Sequence, residues 1–399
     1  MTKKSIPRFP GTIWALGFVS LFMDLSSELI HSLLPVFLVT TLGAGTITVG
    51  LLEGVAEATA PIVKIFSGMT SDFFGRRKFA LLLGYGLATL SKPLFPLAQS
   101  VDVVFTARFL DRIGKGIRGA PRDALIADVA PAEIRGACFG LRQSMDTVGA
   151  FLGPLCAMLL LWLLDGAIKP VLWFAFLPAI IAVLLIIVAV DEPGFDNRRR
   201  DTHRTLNASL ISLFSWRYWW ILIIGALFTL ARFSEAFLVL RAQQAGLSVV
   251  WVPSVMVVMS VVYAISAYPA GILSDRLNKG WLLAAALLVL ILADLLLAHG
   301  DSISVLMLGV ACWGLHMGLS QGVLATLVAE TTPPQLKGTA FGLFNFTCGV
   351  LTFFANLVAG WLWERLSYQF TFYCGAVFAV LALFVLSMRR PISHLQPRS

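Results

Sequence analysis

Three residues in the first apolar run can exchange protons and share one side of a helix. Asp24, Glu28 and His31 follow at i, i+4 and i+7, a spacing that stacks them along one face. Isolation from water disfavours an ionised carboxylate and a neighbouring cation favours it, so a carboxyl balanced between the two can load and unload a proton. The cations come later. Residues 103–128 hold Arg108, Asp111, Arg112, Lys115, Arg118, Arg122 and Asp123. Arg108, Lys115 and Arg122 recur every seven residues, close to one face, and Asp111 and Arg118 form a second such row. These bases must face acids, an aqueous cavity or an anionic solute. Glu53 and Glu57, again i and i+4, add two acids, with Lys64 two turns further on. The pattern predicts acids of the first two helices set against bases of the fourth. Asp24 and Glu28 are the candidate proton carriers, tuned by Arg108 and Arg112; His31, Glu53, Glu57, Asp111, Lys115 and Arg118 are candidate substrate contacts. Purely structural ion pairs are the alternative.

The second half of the chain is poorer in charge. Arg232 and Glu235 stand at i and i+3, where they can neutralise each other. With His316, Gln321 and Asn345 they are the candidate substrate contacts there, although His316 also fits a satisfied structural histidine. Asp294 has no evident partner in the sequence. No nucleophile–base pair, HExxH or phosphate-binding loop is present, so an enzyme is not expected, nor is any cofactor. Metal or metal-chelate transport through Asp24, His31 and His316 is the weakest reading, because those residues lack ligand spacing; no metal site is assigned. The five cysteines show neither pairing nor metal spacing.

The elements that position these groups are membrane spans. The chain has 399 residues, 58% of them hydrophobic and 13% charged. Its mean hydropathy is +0.84, more apolar surface than a soluble domain can carry. The net charge of +8 sits in short turns without interleaved aromatics, which argues for topology and against nucleic acid. Twelve helices are expected, in 11–42, 46–71, 79–99, 103–128, 135–164, 169–190, 217–244, 249–274, 280–299, 303–329, 338–364 and 368–388. The even-numbered turns and both tails hold most Lys and Arg; the opposite turns hold only Lys169, Arg241 and Arg365. Both termini are therefore expected in the cytoplasm, with the chain in a bacterial-type inner membrane. The polar stretch 191–216 is expected to link a bundle of residues 1–190 to one of 217–399.

The chain also repeats. Gly68-Met-Thr-Ser-Asp72-Phe-Phe-Gly75-Arg76-Arg77-Lys78 returns as Gly271-Ile-Leu-Ser-Asp275-Arg276-Leu-Asn278-Lys279. Asp128 to Leu141, which includes Arg135, matches Glu330 to Leu343 without a gap. The first phrase resembles the loop signature of the major facilitator superfamily, G-x-x-x-D-x-x-G-R-[RK], at every defined position. Arg108 and Gly114 match the helix-4 motif R-x-x-Q-G-x-G of its proton-coupled exporters, with Asp111 and Arg112 replacing Gln and Gly. Gly149, Gly153 and Pro154 are similar to the first half of its antiporter motif; Ala157 and Met158 replace the closing glycines. The formal dinucleotide fingerprint Gly114-x-Gly116-x-x-Gly119 follows no strand and reads as close helix packing.

The resemblance implies an all-α integral membrane protein, with twelve helices in two pseudo-symmetric six-helix bundles and alternating access. It implies gating by Gly68, Asp72, Gly75, Arg76, Arg77, Asp128, Arg135, Gly149, Gly153, Pro154, Gly271, Asp275 and Lys279. The expected function is proton-driven antiport exporting a small organic compound, powered by the proton gradient. A proton-coupled carrier of an anionic solute is the alternative. A non-transporting receptor or membrane enzyme is disfavoured for want of a soluble signalling domain or catalytic motif. Expected partners are a small-molecule substrate, protons and the bilayer, with the chain a monomer.

Overall fold

Fifteen α-helical segments and one π-helical turn build the protein, as described by a computed structural model over residues 9–74, 77–131, 134–191, 214–332 and 336–388. Interruptions join some segments end to end, giving twelve helices. These are α1 (Gly11–Thr41), α2 (Thr46–Phe74), α3 (Arg77–Leu97), α4 (Val101–Val129), α5 (Arg135–Leu163) and α6 (Ile168–Ala189), followed by α7 (Trp216–Gln244), α8 (Ser254–Arg276), α9 (Lys279–His299), α10 (Ile303–Glu330), α11 (Lys337–Arg365) and α12 (Tyr368–Ser387). No strand occurs among the described residues.

Ten of the helices are long and apolar enough to cross a membrane. The exceptions, α2 and α4, are long enough but hold the candidate charges, from Glu53 to Lys64 and from Arg108 to Asp123. Bulky apolar side chains such as Leu90, Val188, Tyr268 and Trp281 are largely exposed, which suits a surface bathed in lipid.

Local sequence explains where the helices bend and stop. Pro35 sits just before the switch of α1 to a π turn at Phe37–Thr41, where its missing N–H loosens the ladder. Gly43, at φ +66°, takes the chain out of α1. Ser215 and Asn278 begin α7 and α9 as side-chain caps, accepting from Tyr218 N and Gly280 N. Between Ala231 and Ala236 α7 is broken, so Arg232 and Glu235 do not stand at helical spacing as the sequence pattern suggested.

The chain divides into two compact units, Met1–Phe37 with Thr59–Arg204, and Leu38–Ala58 with Thr205–Ser399. The boundary passes through α2, so the segment with Glu53 and Glu57 groups with the second unit, whereas the sequence reading sets it in the first bundle. In the first unit α1 packs on α5 and α6, and α3 on α4. The same pairs recur in the second: α7 on α11 and α12, and α9 on α10. Glycines set the spacing. Gly114 meets Gly84 O of α3, and Gly116 meets Val63 of α2. The dinucleotide-like run is therefore packing, as the sequence context argued.

Candidate functional site: a buried charge cluster in the first unit

Two faces of α4 carry the cluster. Lys92 is an unexpected member. Its Nζ lies 2.8 Å from Asp111 Oδ1 and 3.0 Å from Ser27 Oγ, with all three residues buried. Asp111 is thus committed to a lysine of α3. Lys92 lies inside the third expected span, but the Lys-Pro pair there reads as the end of a helix. Structurally, α3 is interrupted just after it, at residues 92–93.

Arg108, Arg112 and Arg118 are also buried. Arg118 lies over the Tyr85 ring, its guanidinium carbon 4.5 Å from the centroid, which supplies a cation–π contact in place of one polar partner. Arg122 donates to Ser20 Oγ at 3.3 Å and lies 3.9 Å from Asp146. Asp146 in turn pairs with Arg142 at 3.3 Å, four residues earlier on α5.

Lys115 differs from its neighbours. It stands midway along α4, about 21 Å from either end by helical rise, yet its side chain is exposed. Among the described residues it makes no hydrogen bond or ion pair. That depth is too great for an ammonium to snorkel to a headgroup, and its charged neighbours are Asp24 and Glu28 of α1.

Helix α1 supplies the acids. Glu28 Oε2 lies 3.3 Å from His31 Nδ1, and Lys115 and Arg112 are its next charged neighbours. Asp24 faces Asp146 of α5, with Lys115 and Arg118 as charged neighbours. Asp24 and Glu28 are both half-buried. Gly149 and Gly153 make this approach possible. A methyl group at Gly153 would stand 2.8 Å from Glu28 Cβ, and one at Gly149 would strike the Leu21 carbonyl.

The second unit is different in kind. Glu53 is buried, and its Oε2 accepts from Ser234 Oγ at 3.4 Å. Ser234 lies in the α7 break, where its N–H donates to Asn356 Oδ1 at 2.6 Å. Glu57, Arg232, Glu235 and Gln321 are half-buried, and Asn345 is exposed. Tyr263 donates to Gln321 at 3.2 Å. His316 is buried, donates through Nδ1 to Ala286 O at 2.8 Å and stacks on Phe228, so it ties α10 to α9. Arg241, expected in an outward turn, is instead buried in α7 and bonds to Leu297 O and Gly300 O at the end of α9.

Among the described residues, each repeat's loop signature carries an ion pair. Arg77 is ion-paired with Asp128, and Lys279 with Glu330 at 2.8 Å. Arg135 opens α5 as an exposed residue, and nothing lies within 4 Å of a methyl placed at Gly271. Gly68, Asp72, Gly75, Arg76 and Asp275 lie outside the residues whose side chains are described.

The sequence profile described as Major Facilitator Superfamily matches residues 16–356. The chain belongs to this superfamily. A transporter of the same type from Methanocaldococcus jannaschii is 31% identical over 381 residues, covering 93% of this chain and 92% of that one. The cis,cis-muconate transport protein of Acinetobacter baylyi is 23% identical over 82% of this chain and 83% of its own. The crystal structure of the nucleoside transporter NupG superposes with a TM-score of 0.75 at 15% identity, over 94% of this chain and 98% of that one; this likeness shows the fold alone. As a superfamily member the chain is a multi-pass membrane transporter of a small solute and not an enzyme.

Proposed function

We propose that this chain is a proton-coupled carrier of a small organic anion, moved by alternating access. Lys115 carries the reading. An exposed ammonium at mid-membrane, with Asp24 and Glu28 as charged neighbours but no ion pair within 4 Å among the described residues, is a counter-charge for a carboxylate or phosphate ester once those acids take up protons. Lys92 reinforces it, because it neutralises Asp111 and so removes the nearest acid from competition on α4. The muconate relative is named for a dicarboxylate, which fits the same chemistry. Asp24 and Glu28 are the proton carriers in this reading, and substrate binding next to them would couple anion and proton through mutual electrostatics. In the same reading both termini lie in the cytoplasm of a bacterial-type cell; removing Arg241 from the outward turns strengthens the charge bias behind that orientation.

Antiport of a neutral or cationic compound is the second reading. It is favoured by Gly149 and Gly153, which resemble the first half of the antiporter motif and pack closely against α1.

Transport in proteoliposomes holding a pH-sensitive dye separates the two. A panel of cationic, neutral and anionic compounds is offered under an imposed pH gradient. Proton movement with anions alone is the expected outcome. Proton release driven by lipophilic cations or neutral compounds would overturn the anion reading in favour of export.

A further inference from the structure

Asp294 is the one acid of α9, and it is completely buried. Neither carboxylate oxygen has a hydrogen-bond partner among the described residues, and no ion pair reaches it there. No ion pair with Asp294 is formed by the charged and titratable groups described on the elements around it. His316 of α10 is bonded to Ala286 O, and Arg241 of α7 to Leu297 O and Gly300 O. His299, at the far end of α9, meets Tyr373. Arg232 of α7 has the His316 ring as a neighbour, and the Cys374 thiol of α12 is a neighbour of Asp294.

The internal repeat shows what is missing. Arg77 opens α3 and Lys279 opens α9; Lys92 and Asp294 each stand fifteen residues further on. Asp111 follows Lys92 by nineteen residues, and Trp313 follows Asp294 by the same interval. One repeat therefore buries a lysine–aspartate pair. The other puts an acid in the lysine's place and an indole in the aspartate's. Trp313 is fully buried too, and its Nε1 lacks a partner among the described residues. No base among them compensates Asp294.

Its surroundings repel a second negative charge. Phe233 packs on Trp313, Phe237 and Phe372, a wall of aromatics beside the acid. Gly375 of α12 marks the closest approach. A methyl there would stand 2.9 Å from Asp294 Oδ2 and 3.0 Å from Ala231 O. Ala231 is the last residue of the first half of α7, so its carbonyl belongs to the partly negative, unsatisfied end of a broken helix. Two acceptor oxygens converge there on one small space. A carboxylate buried under these conditions is held neutral by binding a proton.

We propose that Asp294 is a proton-binding site of the second unit, with its proton directed toward the carbonyl end of the α7 break across Gly375. The site is separate from the Asp24–Glu28 cluster and stands whatever solute the first unit carries. It adds to Glu53, which holds Ser234 of the α7 break, a second buried acid near that discontinuity, where broken helices of transporters hold their coupling ions.

Infrared difference spectroscopy of the full-length protein in proteoliposomes tests this. Spectra of the unaltered protein, Asp294→Asn and Gly375→Ala are compared at neutral pH in water and heavy water. The expected result is a protonated-carboxyl band that is lost in Asp294→Asn and shifted in Gly375→Ala, where a methyl group crowds the acid. Loss of an ionised-carboxylate band in Asp294→Asn would overturn the proposal, and so would an unchanged protonated-carboxyl region. If Asp294→Asn fails to fold, Gly375→Ala still decides: a shifted protonated band supports the site, and a shifted carboxylate band overturns it.

Discussion

Lys92 and Asp111 form a 2.8 Å ion pair inside the first unit, with side chains only 1% and 5% exposed. Removing one partner leaves an uncompensated buried charge, which costs about 3–5 kcal/mol. Lys92→Met and Asp111→Leu are each expected to lower the melting temperature strongly in detergent. The double variant, with two apolar side chains facing each other, is expected to recover most of the loss. Additive losses in the double variant would show that the pair is not coupled.

How much of this was legible in the sequence depends on the distance between partners. Helical spacing put Asp24, Glu28 and His31 on one face, and the His31–Glu28 contact follows from that spacing alone. Repeat register paired Asp128 with Glu330, and both now anchor ion pairs with equivalent bases. Lys92 is not legible in the sequence because its partner lies on another helix, and periodicity within one helix says nothing about rotation against its neighbour. The separation of Arg232 from Glu235 is hidden for a different reason: no proline or glycine lies between them to announce the break in α7. The break is instead supported from outside, by Asn356 and Glu53 holding Ser234.

Gly149 and Gly153 allow α5 to press against α1. A valine at Gly149 would drive its side chain into the Leu21 carbonyl, and one at Gly153 into Glu28 and the Leu29 amide. Overpacking of this kind costs about 1–3 kcal/mol or more. Gly149→Val and Gly153→Val are expected to lower the yield of folded protein by size-exclusion analysis and to abolish transport. Gly140, with nothing within 4 Å of its added methyl, is the control: Gly140→Ala is expected to behave as the unaltered protein.

The Lys279–Glu330 pair is a contact of another weight. Glu330 is 40% exposed on its side chain, so solvent screens the interaction. Glu330→Gln is expected to change stability by no more than about 1 kcal/mol. A melting shift as large as that of Lys92→Met would show that the second repeat's pair is far better shielded than its exposure indicates.

Lys115→Ala tests the anion reading at its carrying residue. Loss of a charge-assisted contact is worth about 1.5–3 kcal/mol, or roughly a ten- to hundredfold rise in KM for anions. Uptake of radiolabelled anionic substrate into proteoliposomes is the measurement, with Lys115→Arg restoring part of the affinity. A variant that loses maximal rate while KM stays fixed would place Lys115 outside the binding site.

Asp24 and Glu28 occupy the same helix face but face different partners, and this separates their expected phenotypes. Glu28 is bonded to His31, whereas Asp24 faces the carboxyl of Asp146. Two acids facing each other gain a shared hydrogen bond only when one holds a proton, so Asp24 is the better placed to exchange one. Asp24→Asn is therefore expected to abolish concentrative, gradient-driven transport while leaving exchange of labelled for unlabelled substrate intact, because exchange needs no net proton movement. Glu28→Gln is expected to weaken both, since it also releases His31. Expression and melting of the two variants serve as the folding control. An Asp24→Asn protein that still concentrates substrate against its gradient when a pH difference is imposed would remove Asp24 from the coupling pathway.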